Sequence, residues 1–146
     1  MRKEIDKYSY HLGAADCFCE MVSAGVKIIA LSHPCESKEE RDSFIDDFEV
    51  ISKKYNVSFY IEDDPLLTEL FPISLNKNKY NVIFYLNKQY LSEYLSLKKE
   101  KEDLLSNHQY SNERRYDLAY RYGKLLSYDE ERINHLIQTN IEKESI

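Results

Sequence analysis

The residues best suited to chemistry in this chain follow an apolar run near its N-terminus. Residues 26–31 are apolar apart from Lys27, and the run ends at His33, Pro34 and Cys35. An imidazole next to a thiol is the pairing that acid-base catalysis, nucleophilic attack and metal binding use. If the run is a strand, these groups stand at its carboxyl end, where α/β proteins place their ligands. We therefore take His33 and Cys35 as candidate catalytic residues.

The connections between elements predict which other groups reach that edge. A helix over residues 8–24 leads through Gly25 directly into the strand, so the two should run antiparallel and bring His11, with Asp16, toward His33. A strand at 57–61, joined to the first by a helix over 37–55, should lie parallel to it. The residues expected to converge are His11, His33, Cys35, Glu62, Asp63 and Asp64. The candidates for ligand binding are Glu62, Asp63, Asp64 and Asp16.

Three chemical interpretations of this set remain. Histidine, cysteine and carboxylate ligands suit zinc, but no pair has a diagnostic spacing, so the sequence assigns no metal site and leaves His11, His33 and Asp63 as candidate ligands. A simple acid-base or nucleophilic site would use His11, His33 and Cys35. In the third interpretation, Cys35 packs as a small apolar group and the carboxylates are solvated or cap a helix. No motif identifies a cofactor.

The spacing from Cys35 to Arg41 matches the Cys-x5-Arg loop of cysteine-dependent phosphatases. The intervening residues contain no glycine, which such a loop needs for close backbone approach to phosphate. Glu36, Glu39 and Glu40 would also repel a phosphate. Ser37 and Glu40 have the spacing of a capping box, which starts a helix before Arg41 is reached. The sequence therefore argues against this chemistry.

Composition excludes several classes of function. The 146 residues carry a net charge of −6, which argues against a general nucleic-acid binder. No apolar run approaches the length of about 20 residues that a membrane helix requires, and the charged residues 1–7 do not form a secretory signal. Three cysteines do not make a disulfide framework, so we expect a cytoplasmic protein.

The pattern predicts a small α/β fold. We expect a three-stranded, at least partly parallel sheet with strands near 26–32, 57–61 and 80–86, the orientation of the third strand being open. A short helix at about 64–71 should follow Asp64 as its N-cap. Residues 1–86 would form this α/β core, and residues 87–146 a helical extension packed on it.

Tyrosine is abundant, with 13 residues against six phenylalanines and no tryptophan. Several lie in the C-terminal helices, namely Tyr110, Tyr116, Tyr120, Tyr122 and Tyr128. Tyrosine suits protein interfaces because its ring is apolar and its tip is polar. Two functions therefore remain open. One is a small-molecule or metal-binding protein with its site at the sheet edge, and the other is a module that self-associates or binds a protein partner through these helices.

Overall fold

A computed structural model describes residues 3–145; residues 1, 2 and 146, which the sequence assigns to the core and the extension, lie outside the described part. The first half of the chain contains helices α1 (Lys7–Ser23), α2 (Lys38–Asp42) and α3 (Ile45–Lys54) with strands β1 (Ile29–Leu31), β2 (Ser58–Glu62) and β3 (Asn81–Tyr85). A short 3-10 turn covers Ile73–Leu75. The second half consists of helices α4 (Lys88–Ser106), α5 (Asn112–Leu125) and α6 (Glu130–Thr139).

The sheet is entirely antiparallel, so the expectation of a partly parallel sheet was wrong. Its strand order is β1-β3-β2, and β3 pairs antiparallel with both neighbours. β1 and β2 therefore do point in the same direction, as the strand-helix-strand pattern predicted. They do not pair, because the third strand lies between them. Their carboxyl ends still lie at one edge of the sheet.

The burial of β3 explains its central place. All five of its residues are buried, as a strand covered on both faces requires. β2 is more exposed, with Ser58 and Ile61 at the surface, and β1 has only three residues. A short strand and a partly polar strand suit the edges of a sheet.

Helices cover both faces of the sheet. Ala30, Val82 and Phe84 pack on one face against apolar residues of α1 and α3, including Val22 and Phe48. The opposite face carries Ile29, Ile83 and Tyr85, which join a second core with residues of α4, α5 and α6. The C-terminal helices thus form one of three layers, packed directly on the sheet.

Two local predictions about helix boundaries were wrong. Residues 64–71, all within the described part of the chain, form no helix; the segment instead buries Pro65, Leu66 and Leu70, with the Leu66 N–H donating to the Tyr94 hydroxyl. The predicted helix 37–55 is divided at Ser43 and Phe44 into α2 and α3. In the first segment, side chains bond several backbone groups in place of helical hydrogen bonds, among them the Leu66 and Leu70 N–H groups and the Leu67 and Glu69 carbonyls.

A C-terminal segment, residues 140–145, which we call the strap, crosses the loop between β2 and β3. The Asn140 side chain donates to the Glu69 carbonyl, and the Ile73 N–H donates to the Glu142 carbonyl. The Glu144 carboxylate accepts from Lys101 and Tyr110. The strap thereby ties that long loop to the helical layer. Among the described residues, no helix has the length and apolarity needed to cross a bilayer.

Candidate functional site

Three donor groups from different elements meet at the edge of the sheet where β1 ends. They are His11 of α1, Cys35 of the turn after β1 and Glu40 of α2, and one ligand atom of each lies within 4.8 Å of the others. The His11 Nδ1 is 4.0 Å from the Cys35 Sγ, and the His11 Nε2 is 3.8 Å from the Glu40 Oε1. We call this the His11–Cys35–Glu40 cluster.

Packing holds the His11 ring in place. The side chain is 6% exposed and stacks on Phe44 with ring centroids 4.5 Å apart. His33 meets the same ring edge-on at 4.9 Å. Burial, and next the nearby His33, hold the pKa of His11 below its usual value, so that the imidazole is neutral at pH 7. A neutral imidazole is the form that accepts a proton or binds a metal ion.

Backbone hydrogen bonds fix Cys35 at the sheet edge. Its N–H donates to the Tyr80 carbonyl at 2.8 Å, and the Tyr80 N–H donates back to the Cys35 carbonyl at 3.0 Å. The side chain is 2% exposed, and burial, with a further contribution from Glu40, raises the pKa of its thiol to about 11. The thiol is therefore protonated at neutral pH, which does not suit an activated nucleophile.

Glu40 was missed as a site residue by sequence reasoning. Its N–H donates to the Ser37 side chain, as the capping box predicts, but its carboxylate Oε2 accepts from the Glu36 N–H at 3.2 Å. That bond leaves Oε1 directed at His11. The signal was present in the sequence, because the capping box places Glu40 in the first turn of a helix that starts just after Cys35.

The cluster borders an open cleft of about 480 Å³. The cleft is lined by Ile5, Lys7, Tyr10, His11, His33, Pro34, Glu36 and Glu40. His33 is exposed on its wall, whereas Cys35 is buried. A slightly larger cavity of 540 Å³ lies between α4 and α5, but its Arg121 is already bonded to Glu100 and Asp117. The chemically richer site is therefore the one beside His11.

Glu62 lies at the same sheet edge but is used internally. It is 2% exposed, and its carboxylate accepts from the Tyr94 hydroxyl at 2.7 Å and from the Lys98 ammonium at 2.9 and 3.0 Å. The Asp64 N–H donates to the same carboxylate at 2.9 Å, whereas the Asp64 side chain is exposed. The Glu62 carboxylate therefore forms its hydrogen bonds with other groups of the fold and is not placed to bind a ligand.

Asp63 binds Arg41 instead of joining the cluster. The Arg41 Nη2 donates to Asp63 at 2.6 Å, and Nη1 donates to the carbonyls of Glu62 and Asn81 at 2.9 and 3.1 Å. Burial alone would lower the pKa of Arg41, but the hydrogen bonds to Asp63 and Asp42 outweigh it and raise that pKa. A buried guanidinium committed to these groups cannot hold a phosphate, which agrees with the argument from sequence against phosphatase chemistry.

Asp16 lies on α1 but faces a different partner. Its carboxylate accepts from the Tyr55 hydroxyl at 2.6 Å and from Lys54 at 3.2 Å, at the carboxyl end of α3. The tyrosine hydrogen bond is the main reason that the pKa of Asp16 is lowered. The structure thus brings His11, His33 and Cys35 together. It places Glu62, Asp63 and Asp16 in other contacts and leaves the Asp64 side chain exposed.

Comparison of the chain with protein-family models, with curated proteins and with solved structures gives no match. The chemistry of the site is therefore argued from its geometry alone.

Proposed function

We propose that this protein binds a divalent transition-metal ion of the zinc class through His11, Cys35 and Glu40. The observation that supports this proposal is the meeting of one nitrogen, one sulfur and one oxygen donor within 4.8 Å, two of which, those of His11 and Glu40, belong to residues that line an open cleft. These are the ligand types that zinc takes in proteins.

The electrostatics of the cluster support a cation. A buried thiol has no favourable ionised state by itself, as its pKa of about 11 shows. A bound divalent ion replaces the thiol proton and stabilises the thiolate. The thiolate and the Glu40 carboxylate together balance the two positive charges of the ion. The neutral His11 imidazole supplies the third ligand without a further charge.

Three protein ligands leave one position of a tetrahedral ion open. Sites of this kind accept a water molecule or a small molecule at the fourth position, whereas purely structural zinc sites use four protein ligands. The cleft beside the cluster provides room for such a molecule, and Tyr10, His33 and Pro34 border it. A small ligand bound directly to the metal is therefore the second part of the proposal.

The proposal is tested by titrating the purified, reduced protein with Co²⁺ and with Zn²⁺. We expect a thiolate-to-cobalt charge-transfer absorption that Zn²⁺ abolishes by competition. Cys35→Ser should remove this absorption, and Cys35→Ser, His11→Gln and Glu40→Gln should each weaken Zn²⁺ binding by more than about 100-fold, because each removes a direct ligand. The matched control is Cys17→Ser, since Cys17 is an exposed cysteine on α1 outside the cluster.

Two results would contradict the proposal. One is a titration without a charge-transfer absorption at millimolar Co²⁺. The other is an equal loss of binding in Cys17→Ser and Cys35→Ser, which would assign the metal to adventitious thiol coordination.

Self-association through the C-terminal helices stays a prediction. Of the five tyrosines in residues 110–128, Tyr110, Tyr120, Tyr122 and Tyr128 pack with the core, and Tyr116 is 41% exposed. The expected cytoplasmic location also stays a prediction; it suits the proposed site, because a reducing compartment keeps a cysteine thiol free to bind a metal.

A further inference from the structure

A second buried polar cluster lies on the opposite face of the sheet from α1. It is centred on the Glu62 carboxylate, which accepts hydrogen bonds from Tyr94 and Lys98. Glu62 and Tyr94 are 2% and 0% exposed, whereas Lys98 is 24% exposed and connects the cluster to the surface. We call it the Glu62 cluster.

Two side chains beside this carboxylate have no partner among the protein atoms of residues 3–145. Both side-chain atoms of Asn81, Oδ1 and Nδ2, and the Tyr122 hydroxyl make no hydrogen bond there. Asn81 is 0% exposed and Tyr122 is 1% exposed. Buried amides and hydroxyls are almost always hydrogen-bonded, to protein or to ordered water, because they lose their hydration on burial.

The geometry of the sheet places both side chains around Glu62. Asn81 and Glu62 are directly opposite each other in the β2–β3 register, so their side chains leave the same face of the sheet. Tyr122 enters that face from α5, and its ring centroid is 6.0 Å from that of Tyr94, whose hydroxyl contacts Glu62. An amide, a hydroxyl and a charged carboxylate are thus grouped on one face of the sheet, between β3 and α5.

We infer that Asn81 and Tyr122 hold an ordered internal water molecule against the Glu62 carboxylate. The water would accept from the Asn81 Nδ2 and the Tyr122 hydroxyl and would donate to Glu62. The Asn81 Oδ1 would accept from a second, neighbouring water. Three hydrogen bonds are the usual number for a buried water, and polar surroundings of this kind are where such waters are held. The partly exposed Lys98 side chain marks the route of exchange with solvent.

This inference is independent of the proposed metal site, which lies on the other side of the sheet. The hydration site would link the central strand to α5 through a shared solvent molecule. Removing either side chain then changes the contribution of the other.

A double-mutant cycle on the full chain tests the link. We compare Asn81→Leu, Tyr122→Phe and the double variant by urea unfolding. A shared water predicts that the combined change in the unfolding equilibrium constant differs from the product of the single changes by at least about threefold. Tyr122→Phe combined with Ser52→Ala, a buried serine on α3, is the control and should give the simple product.

Determining a crystal structure of the unmodified protein would provide a second test, which does not require any variant to fold. Solvent density within hydrogen-bonding distance of the Asn81 amide and the Tyr122 hydroxyl would support the inference. Direct hydrogen bonds from these side chains to protein atoms, with no solvent density between them, would overturn it. A double variant whose unfolding equilibrium constant changes by the product of the two single changes would also overturn it.

Discussion

Arg41 is only 1% exposed, although its spacing from Cys35 is that of a phosphate-binding arginine. Its guanidinium instead joins β2 to β3 by donating to the carbonyls of Glu62 and Asn81. These are residues at the same sheet edge as the His11–Cys35–Glu40 cluster. Arg41 therefore stabilises the edge that carries the site.

Replacing Arg41 tests that structural role. Arg41→Met should lower the free energy of unfolding by about 3–5 kcal/mol, because it leaves two buried carbonyls and a carboxylate without their donor. Asp63→Asn should cost less than about 1 kcal/mol, because Asp63 is 52% exposed and its ion pair is screened by water. Urea unfolding of both variants measures the difference. Equal losses in the free energy of unfolding would show that Arg41 stabilises the fold through its ion pair with Asp63 rather than through its contacts with the carbonyls.

The lowered pKa of His11 predicts a pH dependence of folding in the metal-free protein. Its folded pKa lies below the ordinary 6.5, so the unfolded chain takes up the proton more readily. The contribution of His11 is fully present above pH 6.5 and is lost as the pH falls toward its folded pKa. Unfolding is measured with a chelator between pH 8 and pH 5. Over this range, the free energy of unfolding should fall less steeply with decreasing pH in His11→Gln than in the wild type. Ser52→Ala, which removes no titratable group, should keep the wild-type slope, and a slope unchanged in His11→Gln would contradict the prediction.

At the scale of elements, α5 and α6 approach closely at one glycine. A Cβ at Gly123 would lie 2.6 Å from the Ile133 Cγ1 and 2.8 Å from its Cδ1. Ile133 is fully buried, so its side chain has little room to move. Close packing of α5 against α6 therefore depends on this position.

Two glycine-to-alanine changes separate packing from helix propensity. Gly123→Ala should lower the free energy of unfolding by about 1–3 kcal/mol through overpacking. Gly13→Ala on α1 is the matched control, because its Cβ would meet nothing within 4 Å; it should raise stability by about 0.5–1 kcal/mol. Thermal or urea unfolding measures both changes. A stabilising Gly123→Ala would mean that α6 can shift away freely.

At the scale of the whole molecule, the strap connects the loop before β3 to the helical layer. Glu144 is 12% exposed, and its carboxylate accepts from Lys101 at 2.5 Å and from Tyr110 at 3.0 Å. Its backbone carbonyl also accepts from Arg115 at 2.8 Å. One residue thereby binds α4, the connection after it and α5, which lie 29 to 43 residues earlier in the sequence.

Glu144→Gln should lower the free energy of unfolding by about 1–3 kcal/mol, because it removes the charge that pairs with Lys101. Lys143→Gln, at the exposed neighbouring position, is the control and should change stability by less than about 0.5 kcal/mol. Chemical unfolding measures both variants. Similar small effects in the two would show that the strap contributes little to global stability.

Local patterns predicted most elements but not the way strands pair. Helix periodicity located α1 to within one residue, the sequence assigned residues 87–146 to helices, and β-rich runs located all three strands. Strand order depends on contacts between residues far apart in sequence, which periodicity does not contain. The complete burial of β3 was the decisive fact, and only the packed helices on both faces produce it.

The sequence by itself determined most of the elements, the direction shared by β1 and β2, and the edge at which His11, His33 and Cys35 meet. It did so because short connections and hydrophobic periodicity act locally. Only the tertiary structure decided that β3 separates β1 from β2, that Glu62 and Asp63 serve Lys98 and Arg41, and that Glu40 faces His11. The physical reason is that a charged side chain takes whichever partner the packed layers bring within hydrogen-bonding distance. Those partners belong to different layers and are far apart in sequence, so local patterns in the sequence do not reveal them.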